Sequence, residues 1–527
     1  MNLEAFLHDL HFDVDKVRPP DWIPDWSDAP LPYKLYRGLP TVPLPASVPL
    51  TLEAPPVVPA TPDLTHIGHL LWYVYGIHRL SQTSLSLEAA ASGTGPAYVQ
   101  RRFLPSGGAL YPNELYVYLR LPEAPWGIYH YDAAHHRLVL LREGRFDPYL
   151  RRTLADRIDV SACFATVFVS TVFWNGFFKY ADFAYRLQAV DSGVAVGQVL
   201  EVARRFGYTA GVCFQFLDRA VNHLLGLSDA DESVYAVVPL SVHPVARWVR
   251  NPDDEPGEDV SDADLLDEVD PVRHDHHVGS SRVLACPRIV AINRASQLTS
   301  TRMFRRLTRS TRVPPPEPAV RLPAAERLSF DFAAACKRRR SPGADFVLQA
   351  VPVLSLASLL AEGAAPAGDW REFDGGPGHP DSLELYVCTY GVDGVPDGAY
   401  RYDAQAHVLQ GIRPGDHRPV LQRALSMPNL NLFQVPVCVH VVGRRDHLVT
   451  SLGLRGYRIQ QMQAGIMLHR LLLVAAAMGW NGHPLLGFEA PLCDDLYDLP
   501  ARGQTALVQV PIGPHRPGPR WEGALHG

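Results

Sequence analysis

Cysteine is scarce, with seven residues scattered over a chain of 527. None forms a Cys-x-x-Cys pair and the count is odd, which excludes a zinc knuckle and a disulfide framework. Free thiols of this kind suit a reducing cytoplasm. An excess of one charge is also missing, since 49 Lys and Arg stand against 55 Asp and Glu for a net charge of −6. This mildly acidic balance argues against nucleic acid as the main partner, because a phosphate backbone calls for clustered Lys and Arg. No basic segment followed by an apolar one opens the sequence, so no secretory signal is visible. The most apolar helix-like run, 464–479, carries His469 and Arg470. It is shorter than the ~20 residues a bilayer requires and reads as a core helix, with no membrane partner. His274–His277 spell HDHH, yet lie in a charged stretch with no cysteine or carboxylate framework, so no metal site is assigned.

Proline is abundant, 47 residues against a usual share of ~5%. Residues 1–62 are Pro-rich and read as an arm laid over a surface. Residues 244–325 read as a linker. It opens on an acidic block near 253–270, expected to be solvated and mobile, and ends in a basic, Pro-rich run.

The remaining sequence repeats itself. Tyr185, Arg186, Gly193 and Gly207 return as Tyr457, Arg458, Gly465 and Gly479, always 272 positions later. Each stretch has helical apolar spacing and ends in Gly, a residue suited to the position after a helix. The internal glycines, matched in both copies, suggest close backbone packing of the two helices. Tyr116 in PNELYVYL matches Tyr386 in DSLELYVCT, and Leu64 matches Leu354. The chain therefore holds two copies of one domain, 63–243 and 326–527. β-Rich runs such as TVFVSTVFW and VPVCVHVVG alternate with long helices, which predicts an α+β fold with helices packed on a sheet.

Four strings can carry chemistry. Pro105, Ser106, Gly107 and Gly108 form a turn that runs into an aromatic strand, where backbone can approach a flat or anionic ligand; a plain turn is the alternative. Lys179 follows two phenylalanines and precedes Tyr180. Burial there would lower its pKa and make it a general base, though a Lys beside aromatics also serves as a snorkelling surface residue. Arg339, Arg340 and Ser341 can bind a phosphate, or form a solvated basic patch. Arg516 and Arg520 near the C-terminus can serve the same phosphate.

Together these strings give the chain a resemblance. LLWYVYGIHR (70–79), RRFLPSGGALYPNELYV, the Lys179–Tyr180 pair and the YRLQAVDSG helix resemble the FMN-dependent nitroreductase superfamily. More narrowly they resemble the SagB-type dehydrogenases that oxidise azolines in ribosomal peptide natural products. The second copy resembles the superfamily through RRS at 339–341, the GYR helix and LLGF at 485–488. The resemblance implies two tandem nitroreductase-like domains forming a pseudo-dimer within one chain, with FMN as cofactor. It also implies an azoline-bearing precursor peptide as substrate, in azole-peptide or thiopeptide biosynthesis, and a cyclodehydratase as partner. Lys179 would be the base and Tyr180 its aide. Arg339, Arg340, Ser341, Arg516 and Arg520 would hold the phosphate, backbone at Leu486 and Gly487 would reach the flavin ring, and the Pro105–Gly108 turn would close it. Alternatives are an FMN oxidoreductase on a nitro compound or cyclic dipeptide, and a flavin-free scaffold that binds a peptide or partner enzyme.

The copies divide these parts unequally. Ser451 and Leu452 stand where the first copy has Lys179 and Tyr180. Pro49, Leu50 and Thr51 align with Arg339–Ser341, and Gly375, Gly376, Pro377 and Gly378 align with the Pro-Ser turn. One complete flavin site per chain is expected.

Overall fold

A computed structural model describes all residues except 1, 54–58, 83–97, 251–257, 306–318, 326–327, 373–382, 518–520 and 525–527. The chain divides into two units. The first comprises Arg18–Arg305 with two short pieces from far along the sequence, Gly368–Glu372 and Pro519–Gly527. The second comprises Met1–Val17, Arg306–Ala367 and Phe373–Gly518. Each is α+β.

The first unit is built on an eight-stranded sheet. Its strands run, in spatial order, Trp370–Arg371, Thr209–Val212, Glu232–Ser241, Ala165–Val172, Asn113–Leu119, Gly127–Asp132, Arg137–Glu143 and Thr41–Pro43. Every pairing is antiparallel except that of Trp370–Arg371 on Thr209–Val212. Alternating Tyr, Val, Phe and Leu give the strands their buried faces, and Tyr116, Tyr118 and Phe168 join a core with Leu217, Leu224 and Trp248. Helices α1 (Leu64–Tyr75), α2 (Phe173–Tyr180) and α3 (Ala184–Arg205) belong to this unit. α3 is buried along nearly its whole length and packs on α1, α2 and four of the strands, which fits its small residues Ala189, Ser192, Gly193 and Ala195.

The second unit repeats the plan. Its seven strands run Ala319–Arg321, Val408–Pro414, Gly398–Asp403, Glu384–Thr389, Val437–Arg444, Gln504–Gly513 and Asn481–Gly482. Six of these follow the same order as the strands from Thr41–Pro43 back to Glu232–Ser241 in the first unit. Helices α4 (Phe332–Arg338), α5 (Val353–Ala364), α6 (Val449–Leu452) and α7 (Arg455–Ala477) accompany them. α3 and α7 are the matched long helices. Gly207 and Gly479, just past their ends, have φ of 77° and 82°, the left-handed conformation anticipated for them.

The segment read as a linker is more structured than its charge suggested. Within 258–305, Ser261 forms a capping box for helix Asp262–Leu266, and Leu265 is fully buried in the core. Val260, Ile289, Ile292 and Leu298 are buried as well. Scattered apolar residues anchor the acidic stretch, so its described part, 258–270, is folded and not a solvated tether. Residues 251–257, and the basic, Pro-rich run over 306–318, lie outside the described residues. The arm likewise contains structure: Leu3–Phe12 is a helix capped by Asn2. All seven cysteines are free and buried. Among the described residues no helix is long and apolar enough to cross a membrane, and no cluster of His, Cys, Asp and Glu could hold a metal. The His274–His277 run is spent on fastening: His274 donates to the Leu141 carbonyl at 2.8 Å, and His276–His277 pair with Leu35–Tyr36.

Candidate functional site

In the first unit, the Pro-Ser turn and the Lys-Tyr pair meet. Backbone through the turn is held in unusual conformations, with φ of 64° at Gly108, 57° at Ala109 and 47° at Tyr111. Asp191 on α3 fixes this shape. Its carboxylate accepts the Ser106 hydroxyl at 2.6 Å and the Gly107 N–H at 3.1 Å, while Ser106 Oγ accepts the Tyr111 N–H at 3.0 Å. The Ser106 hydroxyl is thus committed within the turn, and what the turn offers outward is backbone. Burial raises the Asp191 carboxyl to about 6, against the pull of the two donors.

Gly108 is where the groups converge. A Cβ on it would lie 2.6 Å from Tyr180 Oη and 2.8 Å from Lys179 Nζ. α2 delivers both side chains from its last turn, because Val172 ends a central strand and the chain enters the helix at Phe173. Phe177 and Phe178, just before the pair, are buried, and Phe178 packs edge-on against Trp26. Burial lowers the Lys179 pKa and the neighbouring Arg18 adds to it, so the amine releases its proton more easily than an ordinary lysine. Burial, with the Asp191 charge, pushes Tyr180 up to about 12 and keeps it a donor at neutral pH. The arm completes the surroundings. Trp22 donates to the Phe178 carbonyl at 3.2 Å, Lys179 Nζ lies 5.5 Å from the Trp26 ring centroid, and Arg18 lies 5.6 Å from that of Tyr180.

In the second unit, the arginine strip is assembled with the chain's far end. Arg339 follows α4, and the strip is pinned by Asn481, which accepts the Arg340 N–H at 2.7 Å and donates to the Arg338 carbonyl at 3.3 Å. Phe346 bridges His515, and the Arg516 N–H bonds the Asp345 carbonyl at 2.8 Å. Arg339–Ser341 and Arg516 are thereby tied to one framework, with Ser341 and Arg516 exposed. Arg520 lies outside the described residues. Leu485 and Phe488 are held in bridges to Gln509 and Leu425, while the N–H groups of Leu486 and Gly487 between them donate to no described group. α6 ends in Ser451 and Leu452, the counterparts of Lys179 and Tyr180; the aligned Gly375–Gly378 lie outside the described residues.

Sequence reasoning missed Asp191, Asn481, Arg18 and Trp26. Asp191 is a lone acid inside QAVDSGVAVG, and its isolation in a small, apolar stretch was the available signal. Asn481 sits in WNGHP, which reads as a turn. Nothing local ties Arg18 or Trp26 to a helix more than 140 positions away.

The profile of the nitroreductase family matches residues 81–240 and 378–514, together more than half of the chain. The first match contains the Pro-Ser turn and Lys179–Tyr180; the second contains Leu486 and Gly487 but begins past Arg339–Ser341. A crystal structure from Anabaena variabilis, assigned as a nitroreductase, aligns with 98% of this chain and 99% of its own, with a TM-score of 0.73 at 20% identity. That likeness of fold spans both units. A Ralstonia eutropha structure, also assigned as a nitroreductase, aligns with 40% of this chain and 96% of its own, at 21% identity and a TM-score of 0.31. A chain of the Escherichia coli microcin synthetase complex, solved with truncated pro-MccB17 bound, aligns with 33% of this chain and 62% of its own, at 23% identity and a TM-score of 0.27. No curated protein matches the sequence.

Proposed function

The chain belongs to the nitroreductase family of oxidoreductases, and from that premise we propose that it is an FMN-dependent dehydrogenase that oxidises thiazolines or oxazolines of a ribosomally made peptide to azoles. The observation that carries this reading is the convergence of Lys179 Nζ and Tyr180 Oη on Gly108. The residues fit a flat, phosphorylated cofactor. Gly108 bears no side chain to hold a ring away, Leu486 and Gly487 present unused N–H groups, and arginines flank the exposed Ser341. Arg339, Ser341 and Arg516 would bind the phosphate and ribityl chain, Leu486 and Gly487 would meet the ring, and the Ser106–Gly108 backbone would close on it.

Aromatisation of an azoline removes one carbon-bound proton and one hydride. A bound FMN would supply the hydride acceptor, with oxygen as the final oxidant. Lys179 Nζ takes the proton; its lowered pKa leaves more of the amine free to do so. Tyr180, held protonated, orients the amine or donates to the ring heteroatom. The Trp26 ring covers the amine, and keeping water from it favours the neutral form that can accept a proton. Azolines arise by cyclodehydration of Cys, Ser or Thr in a peptide, so a cyclodehydratase is the partner this chemistry calls for.

Mass spectrometry of an azoline-bearing peptide incubated with the flavin-loaded protein tests the reading. Loss of two hydrogens per ring is expected, and is abolished in Lys179→Ala. An unchanged peptide mass, with a nitroaromatic compound reduced by the same preparation, would turn the assignment to small-molecule reduction.

A further inference from the structure

Lys179 is not alone as a cation at its site. The arm delivers a second, Arg18, on a stiffened turn. Pro19 and Pro20 follow it, and the Trp22 N–H closes on the Pro19 carbonyl at 3.0 Å. Trp22 is in turn fastened to α2, through its bond to the Phe178 carbonyl and an edge-on contact with Phe177 at 5.3 Å between ring centroids. Arg18 is thus placed against the same helix that carries the base. Its Cζ lies 5.6 Å from the Tyr180 ring centroid, and Lys179 Nζ lies 5.1 Å from that centroid. The guanidinium is half-buried and makes no hydrogen bond or ion pair to any described residue.

Stability does not explain a cation left in this way. The first unit has two lysines, Lys34 and Lys179. Lys34 shows how the fold compensates a buried ammonium, since Glu232 accepts from it at 2.6 Å. Beside Lys179 the fold sets another positive group, and a guanidinium keeps its charge at any pH the protein meets. The carboxylates of these elements are committed elsewhere or face solvent. Asp191 spends both oxygens on Ser106 and Gly107, Asp25 accepts from Ser27, Asp28 accepts from Ser281 and Arg282, and Asp21 is exposed. Like charges so placed repel, and the Arg18 side-chain N–H donors stay unused among the described residues. A preset, uncompensated donor of this kind suits negative charge that develops on a substrate.

The chemistry locates that charge. An azoline made from Cys, Ser or Thr keeps the former α-carbon as ring atom C4, and C4 carries the carbonyl of the peptide chain. When the C4–H bond breaks, the proton goes to Lys179 Nζ. The electron pair moves into the bond between C4 and the carbonyl carbon, and the carbonyl π pair shifts onto oxygen. Nothing is oxidised or reduced in this half; the oxidative half, departure of hydride from C5, follows separately. We propose that Arg18 binds this carbonyl oxygen and stabilises the negative charge it gains as Lys179 removes the C4 proton. The inference rests on the azoline reading of the site. It gives Arg18 the oxygen, while Lys179 takes the proton and Tyr180 serves the amine or the ring heteroatom.

Deuterium exchange isolates the proton-transfer half. The flavin-loaded full chain, kept reduced by dithionite under nitrogen so that no azole forms, is incubated with a thiazoline peptide in deuterium oxide. After return to water, mass spectrometry counts the carbon-bound deuterium. The wild type should add one deuterium per ring. Arg18→Ala and Arg18→Gln should retain flavin as the wild type does, and should exchange about 10²–10³-fold more slowly, the usual weight of one oxyanion donor. Arg18→Lys should recover part of the loss. Rates are compared at the alkaline plateau of the pH profile, where Lys179 is neutral in every variant. Burial, and Arg18 after it, lowers the Lys179 pKa, so removing Arg18 should also move the profile to higher pH. That shift with an unchanged plateau would mean that Arg18 only tunes the amine, and would overturn the inference. Loss of flavin from Arg18→Gln would give Arg18 to the cofactor and overturn it equally. A wild type that neither exchanges nor oxidises the thiazoline removes the azoline reading and the inference with it. A wild type that does both, matched in plateau rate by Arg18→Ala and Arg18→Gln, overturns the inference alone.

Discussion

Gly108 and Tyr180 stand so close that any side chain on the first would collide with the second. A Cβ there would lie 2.6 Å from Tyr180 Oη, and 2.8 Å from Lys179 Nζ. Both atoms are the ends of flexible side chains, which can move aside at little cost in stability. Gly108→Ala should therefore lower stability by about 1 kcal/mol, mostly from the φ of 64°. It should reduce turnover much further, because displacing the base by an ångström costs on the order of 10²-fold. Urea denaturation beside steady-state rates checks the prediction. A rate loss no larger than the stability loss would dissociate Gly108 from the chemistry.

Asp191 predicts opposite pH responses for stability and activity. Its carboxyl titrates near 6 in the folded protein, above the ~3.9 of an unfolded aspartate. The native state thus binds the extra proton, and its contribution to stability is complete below about pH 4 and lost as pH rises through about 6. The shift corresponds to about 3 kcal/mol at most. The turn, however, needs the carboxylate, which accepts from both Ser106 and Gly107. Turnover should rise through the same window in which stability falls. Asp191→Asn should lack both dependences, with lower activity above pH 6 and higher relative stability there. Melting temperature and kcat/KM, each measured from pH 4 to 8, decide the matter.

Ala181 follows the Lys-Tyr pair with φ 47° and ψ −140°, a region suited to glycine. Its counterpart 272 positions on is Gly453, at φ 66° and ψ −162°. The unit that carries Lys179 keeps the strained residue, and the unit with Ser451 in its place has glycine. Ala181→Gly should release about 1–3 kcal/mol of strain and forfeit about 0.4–1 kcal/mol to unfolded-chain entropy. The expected result is a net gain of about 1 kcal/mol in stability together with slower turnover, as α2's last turn loosens. Faster turnover, or lost stability, would refute the strain argument.

The duplication was legible because helices and strands keep their apolar periods, so Tyr185 and Tyr457 or Tyr116 and Tyr386 can be aligned without coordinates. The Lys179–Tyr180 pair and the Pro-Ser turn were legible as strings. What joins them was not, because the Ser106–Asp191 bond spans 85 positions and an acid within a helix ordinarily reads as solvent-facing. The same holds for the two-residue strand Trp370–Arg371, which is too short to show a period, yet pairs with Thr209–Val212. The linker was misread over 258–270 since a dominant run of Asp and Glu masked Val260 and Leu265.

Two substitutions far apart in sequence should separate flavin binding from proton transfer. Arg339 follows α4 on the framework that Asn481 and His515 tie to Arg516, and the proposal gives it the phosphate. A bidentate arginine–phosphate contact is charge-assisted in both hydrogen bonds and typically worth about 1.5–3 kcal/mol for each. Arg339→Ala should therefore purify with little flavin, showing a loss of the absorbance near 450 nm, and should regain turnover only when excess FMN is supplied. Lys179→Ala should do the reverse. It should retain flavin at one per chain, the ratio the proposal assigns to the wild type, and lose azole formation by about 10²–10⁴, the usual weight of a general base. Its residual rate should also lose the basic-side rise that a lysine of lowered pKa imposes. A ratio near two flavins per chain would mean that the unit ending α6 in Ser451 and Leu452 binds its own cofactor, and would overturn the single-site assignment. Flavin fully retained in Arg339→Ala would move the phosphate away from the arginine strip while leaving the role of Lys179 to stand or fall on its own rate.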